Sequence, residues 1–130
     1  MIDLRTIAAV GLGAALGGIL RLLVTQLVVA RAGAGFGFYA TMLINVSGSF
    51  LIGVVIEMSQ TRANLSPLWR YFLATGILGG YTTFSTFSYE ALALWTGGFM
   101  FTSFMYLAGS VILGIAGAFG GIVTARALAP

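Results

Sequence analysis

Gly79 to Ser88 reads GGYTTFSTFS and lies inside a run, Tyr71 to Tyr89, that carries no charge. Glycines and hydroxyls, among them Gly79, Gly80, Thr82, Thr83, Ser85 and Thr86, interrupt the apolar pattern where a membrane helix would have its middle. The rest of the chain makes the bilayer unavoidable. Of 130 residues, 59% are hydrophobic and 7% charged, and the mean hydropathy is +1.05, against roughly 25% charged residues in a soluble domain. At bilayer depth a freed backbone N–H or C=O has no water to pair with and costs several kcal/mol, so irregular backbone survives only inside protein or beside a wet path. The sequence therefore predicts an integral membrane protein with a helix broken near the midplane for a functional reason.

Hydropathy and punctuation predict an all-α bundle of four spans in a single membrane domain, residues 1–130: about 4–30, 38–57, 67–96 with a break over 79–83, and 99–126. A span needs about 20 residues to cross roughly 30 Å of hydrocarbon. Gly33, Gly35 and Gly37 form the first turn, and Gly97 and Gly98 the last. Glu57, Gln60, Arg62 and Asn64 mark the exit of the second span, and Ser66 with Pro67 reads as the cap and first turn of the third. One half of the third span runs to about Leu78 and the other begins near Phe84. Four spans put both termini on one side, with Arg5, Arg62, Arg70 and Arg126 against Arg21 and Arg31, so the positive-inside rule favours cytoplasmic termini.

The residue inventory excludes much chemistry. All six basic residues are arginine, the acids are Asp3, Glu57 and Glu90, and there is no Cys or His. Thiol and imidazole catalysis, Schiff bases and most transition-metal sites are excluded with them, and no clustered positive charge suits a nucleic acid. An enzyme is not expected.

Three helices each carry one polar or aromatic stripe. Thr41, Asn45 and Ser49 are four apart; Ser103, Tyr106, Ser110 and Gly114 follow at three and four; Phe84 and Phe87 share a face. Singly, a Ser or Thr in a membrane helix bonds its own i−4 carbonyl. Asn45 cannot be satisfied that way, so it bonds another helix or faces a wet path. Together these residues suit an anion path, because aromatic edges are positive and neutral donors replace hydration without trapping the ion. A half-helix starting near Phe84 adds its positive end. Arg21 lies inside the first span, at a cost of roughly 2.5–3.5 kcal/mol at the centre. It snorkels outward or stands in an aqueous vestibule. Glu90, one turn past Phe87, either satisfies donors around the break or carries protons. Small residues four apart (Gly13 and Gly17, Ser49 and Gly53, Ser110 and Gly114, Gly117 and Gly121) suit close helix approach.

GGYTTFSTF, with GAALGGILR at Gly13 to Arg21 and INVSGSFLIG around Asn45, closely resembles the Fluc (CrcB) family of bacterial fluoride channels over essentially the whole chain. The resemblance implies passive export of fluoride across the inner membrane by an antiparallel, dual-topology homodimer with two pores. Phe84 and Phe87 would line the fluoride path by their ring edges, with Asn45, Thr41, Tyr106 and Ser110 along it and Arg21 in a vestibule. A structural sodium ion would sit at the dimer centre on the backbone carbonyls of Gly79 and Thr82 of each subunit. Partners would thus be fluoride, an identical subunit in the opposite orientation, and lipid.

Two features depart from that pattern. Gly114 stands where a second serine can occur on the fourth helix, and the four-to-two arginine distribution favours one orientation whereas dual topology needs both. The main competing reading is a small dual-topology, proton-coupled multidrug transporter built around Glu90. A packing subunit of a larger complex is a third reading.

Overall fold

The computed structural model describes residues 3–61 and 66–128, and all of its regular structure there is helical. Arg62 and Asn64, two of the residues expected at the exit of the second span, lie outside the described residues.

Helix α1, Leu4–Ala32, begins at Asp3, whose carboxylate accepts from the Thr6 amide at 2.8 Å. That bond satisfies one orphan amide of the first turn and holds the Asp3 carboxyl below the usual carboxylate range. The helix ends at Gly33, whose φ of 106° only glycine adopts easily, and a single 3₁₀ turn, Ala34–Phe36, leads into α2, Gly37–Thr61. The third helix, α3, covers residues 67–81. It opens over Pro67–Arg70, is wound as a wider π-helix over Tyr71–Leu78, and closes over Gly79–Tyr81. After two extended residues come α4, Phe84–Thr96, and α5, Met100–Ala127, joined through Gly98 at φ 88°.

The break is narrower than the sequence predicts. Gly79–Tyr81 stay helical because the Thr82 amide still reaches the Leu78 carbonyl at 3.0 Å and because Gly80 lies against the Ala14 backbone. Only Thr82 (φ −80°, ψ 159°) and Thr83 (φ −150°, ψ 124°) are extended. Ser66 stands at the expected cap position, but its side chain makes no capping bond; its carbonyl accepts from Trp69 at 3.1 Å instead. Among the described residues three helical stretches are long and apolar enough to cross a membrane, Leu4–Ala32, Ala34–Thr61 and Met100–Ala127. The third hydrophobic segment is divided, so neither half reaches that length.

Glycines set the packing. A Cβ on Gly13 would stand 2.6 Å from the Phe72 carbonyl oxygen, and one on Gly17 would stand 2.7 Å from the Tyr81 amide nitrogen. The α1 and α3 backbones therefore touch directly. Gly53, Gly117 and Gly121 do the same between α2 and α5, where Gly121 faces the Phe50 carbonyl and a Cβ on Gly117 would stand 3.1 Å from the Val46 carbonyl oxygen. Small residues are how helices approach in lipid, where hydrophobic burial offers no net drive. Ser103 Oγ donates to the Ala91 carbonyl at 2.7 Å and fixes α4 on α5. At one end Arg126 Nε meets Glu57 Oε1 at 2.8 Å, tying α5 to α2.

Gly17→Val should lower stability by about 1–3 kcal/mol through overpacking against α3, read as the unfolding midpoint of purified protein in detergent. Gly18→Ala, at a position with open space around it, should leave the midpoint unchanged or raise it.

Candidate functional site

The site is built outward from Asn45. In a continuing helix the Thr83 amide would close on the Gly79 carbonyl; here it donates to Asn45 Oδ1 at 2.9 Å, while Asn45 Nδ2 donates to the Thr83 carbonyl at 3.0 Å. One carboxamide thus satisfies both polar groups of the extended residue. This answers the demand that Asn45 find a partner outside its own helix. Thr83 in turn caps α4, its Oγ1 accepting from the Thr86 amide at 3.3 Å. Thr86 is the amide that would otherwise have closed on the Thr82 carbonyl. The carbonyls of Gly79 and Thr82 are thereby released from helical bonding at the break, and the α4 N-terminus presents its positive end there.

Asn45, Gly79, Thr82 and Phe84 share an open groove of about 310 Å³, with Ser49 and Leu78 beside them. Phe84 is 80% exposed and Phe87 is buried at 8%. From Phe84 the aromatics continue inward: Phe84 to Phe87 at 6.0 Å, Phe87 to Tyr106 edge-on at 5.1 Å, and Tyr106 to Phe38 edge-on at 5.5 Å.

Glu90 forms a second centre. Thr41 Oγ1 donates to its Oε1 at 3.0 Å and the Tyr106 hydroxyl to its Oε2 at 2.7 Å. Glu90 thus accepts from one hydroxyl on α2 and one on α5. The acid also lines a second open groove, of about 350 Å³, with Phe38, Leu94 and the glycine turn at Gly35 and Gly37. Ser110, one turn beyond Tyr106 on α5, is buried with no hydrogen-bond partner for its Oγ among the described residues. Buried hydroxyls are nearly always paired, so this one has an unfilled hydrogen bond to offer.

The candidate residues thus form two joined groups. Asn45, Gly79, Thr82 and Phe84 meet at the break, and Thr41, Phe87 and Tyr106 meet around Glu90. Ser110 extends the second group along α5. Arg21 is not brought to either; it lies one turn beyond Gly17 on α1, half-buried and without an ion pair among the described residues. Among the remaining hydroxyls Ser88, Thr96 and Thr124 bond their own i−4 carbonyls, at 2.9, 3.0 and 2.8 Å, as expected of such residues singly. The sequence singles out Glu90 without placing it on the fluoride path, and gives Thr83 no role of its own. The signals were present: Asn45 needed a two-sided partner, and Glu90 follows Phe87 by three.

Residues 8–122 match the profile of the family described as CrcB-like protein, Camphor Resistance (CrcB). The chain is 44% identical to the fluoride-specific ion channel FluC of Rhizobium meliloti (strain 1021) over 122 residues, 94% of this chain and 97% of that one. It is 48% identical to a FluC of Thermus thermophilus over 86% of this chain and 88% of that one. The corresponding protein of Methylobacterium sp. (strain 4-46) is 51% identical, over 82% and 84%.

Asn45→Ala should strand the Thr83 N–H and C=O, each at about 1–3 kcal/mol. Denaturant unfolding should show that loss, together with faster hydrogen exchange at Thr83 and Thr86. A variant as stable as its parent would show the two bonds to be dispensable.

Proposed function

The chain belongs to the CrcB family, and on that premise we propose that it is a fluoride-selective channel carrying fluoride passively out across the inner membrane, in which it is a multi-pass protein and not an enzyme. The observation that carries this reading is the break at Thr82–Thr83, held by Asn45 and continued inward by neutral donors and ring edges. Its donors carry no fixed positive charge, so they exchange for hydration without trapping the ion.

Fluoride would enter beside Phe84, where Asn45 and the α4 N-terminus line the groove. It would pass the edges of Phe84 and Phe87 toward Tyr106. Ser110 would supply a hydroxyl with no partner among the described residues, whereas the Thr41 and Tyr106 protons reach the ion only by leaving Glu90. Arg21 would act in a vestibule, drawing anions before they enter.

The divided third segment counts in this reading as one span, giving four. A groove carrying an exposed Phe84 at bilayer depth suits a second copy rather than lipid, and an antiparallel homodimer with two pores covers it on both subunits. The released carbonyls of Gly79 and Thr82 fit a sodium ion on the two-fold axis: hard oxygen donors, neutral, and without helical partners. Gly79 and Thr82 of each subunit would hold it, and its contribution would be to fix the two breaks against each other. A proton-coupled multidrug transporter built on Glu90 is the lesser reading, because that carboxylate is engaged by two hydroxyls.

Liposomes holding the purified protein should lose fluoride rapidly and retain chloride, and Phe87→Ile should slow fluoride efflux at least about tenfold, or ~1.4 kcal/mol at the barrier. Equal leakage of both anions, or cation uptake driven by a proton gradient, would contradict the channel. Replacing sodium by N-methylglucamine should lower the unfolding midpoint, since an ion bound only to the folded dimer adds about 2.7 kcal/mol at a hundredfold excess over its dissociation constant.

A further inference from the structure

Two grooves at the end of the bundle away from Glu90 have no part in the path and share no lining residue with the groove at the break. The larger, about 410 Å³, lies between the first turns of α1 and α3 and is walled by Leu12, Leu68, Trp69 and Phe72, with Arg5 at its side. The smaller, about 100 Å³, lies on the other flank of Trp69 against α2, walled by Val55, Met58 and Leu73, with Arg70 at its side. Trp69 is the ridge between them, 55% exposed and held edge-on by Phe72 at 5.7 Å.

The charges here are unequally matched. Arg126, at the same end, is neutralised by Glu57. Asp3 is engaged in capping α1 through Thr6. Arg5 and Arg70 have no ion pair among the described residues. Both sit in the first turn of a helix, beside a tryptophan, at the level where arginine and tryptophan meet the headgroups of a bilayer. Apolar walls running inward from two arginines that form no ion pair among the described residues match one kind of molecule.

We propose that this end of the protein binds one anionic two-chain phospholipid astride Trp69, an acyl chain in the larger groove, the start of the other chain in the smaller, and the headgroup phosphate between Arg5 and Arg70. Arginines near an anionic surface each contribute about fivefold in affinity, so the site discriminates headgroups while the grooves accept either acyl composition. A zwitterionic lipid of the same chains carries the same phosphate, but its quaternary ammonium offsets that charge, so it fills the grooves with less gain at the arginines. The inference needs the membrane position of the chain and not its ion selectivity.

Trp69 is also the reporter. The chain has two tryptophans, so full-length Trp95→Phe protein leaves Trp69 as the lone fluorophore. In mixed vesicles, brominated phosphatidylglycerol should quench it with at least about fivefold higher apparent affinity than brominated phosphatidylcholine of the same chains. The combined Arg5→Gln and Arg70→Gln substitutions should abolish that preference. Should that variant fail to assemble, the arginine-bearing protein decides alone: raising salt from about 0.05 to 0.5 M should shrink the preference by screening. Equal quenching by both lipids, a preference that survives the substitutions, or one indifferent to salt would overturn the proposal. None of these outcomes involves fluoride flux, so each leaves the proposed function standing or falling separately.

Discussion

A pair of hydrogen bonds between one carboxamide and one residue of extended backbone holds this structure open in its middle. Thr83 stands extended between two helices and cannot turn to water at bilayer depth, so in this conformation its two polar groups would be stranded at several kcal/mol without Asn45. With Asn45 the break is stable, and its consequences follow. Two carbonyls lose their helical partners, α4 gains a capped N-terminus, and Phe84 is presented at the mouth of a groove. Without that clamp the segment would do better as an unbroken helix.

The remaining contacts keep α2 at the right depth to make this bond. Backbone contact at Gly53, Gly117 and Gly121 fixes α2 against α5, and contact at Gly13, Gly17 and Gly80 fixes α3 against α1. Ser103 sets α4 on α5 through the Ala91 carbonyl. These registers bring Thr41 and Tyr106 to Glu90 from two different helices. The carboxylate is then the acceptor at one end of an aromatic row whose other end is the break.

Much of this was legible in the chain itself. Uncharged runs located the helices, the spaced pairs Gly13 with Gly17 and Gly117 with Gly121 marked close contacts while Ser110 with Gly114 did not, and the polar decapeptide located the break to within three residues. Its edge was misjudged because glycine looks like a breaker, whereas Gly79–Tyr81 retain an i−4 bond from Thr82 and lean on α1. Such support comes from another helix and leaves no local trace. For the same reason Glu90 was ambiguous: its partners lie 49 and 16 residues away in sequence. Ser66 looked like a capping residue by position, yet its hydroxyl caps nothing.

The most direct test of the account is fluoride efflux from liposomes holding Asn45→Asp, purified in the same oligomeric state as its parent. Aspartate keeps an acceptor for the Thr83 amide, loses the donor to the Thr83 carbonyl, and places negative charge on the proposed fluoride path. Like charges brought together cost several kcal/mol, so the account expects efflux to fall by on the order of a hundredfold or more. An Asn45→Asp protein that conducts fluoride at the parent's rate would contradict the account, and the path would have to run elsewhere.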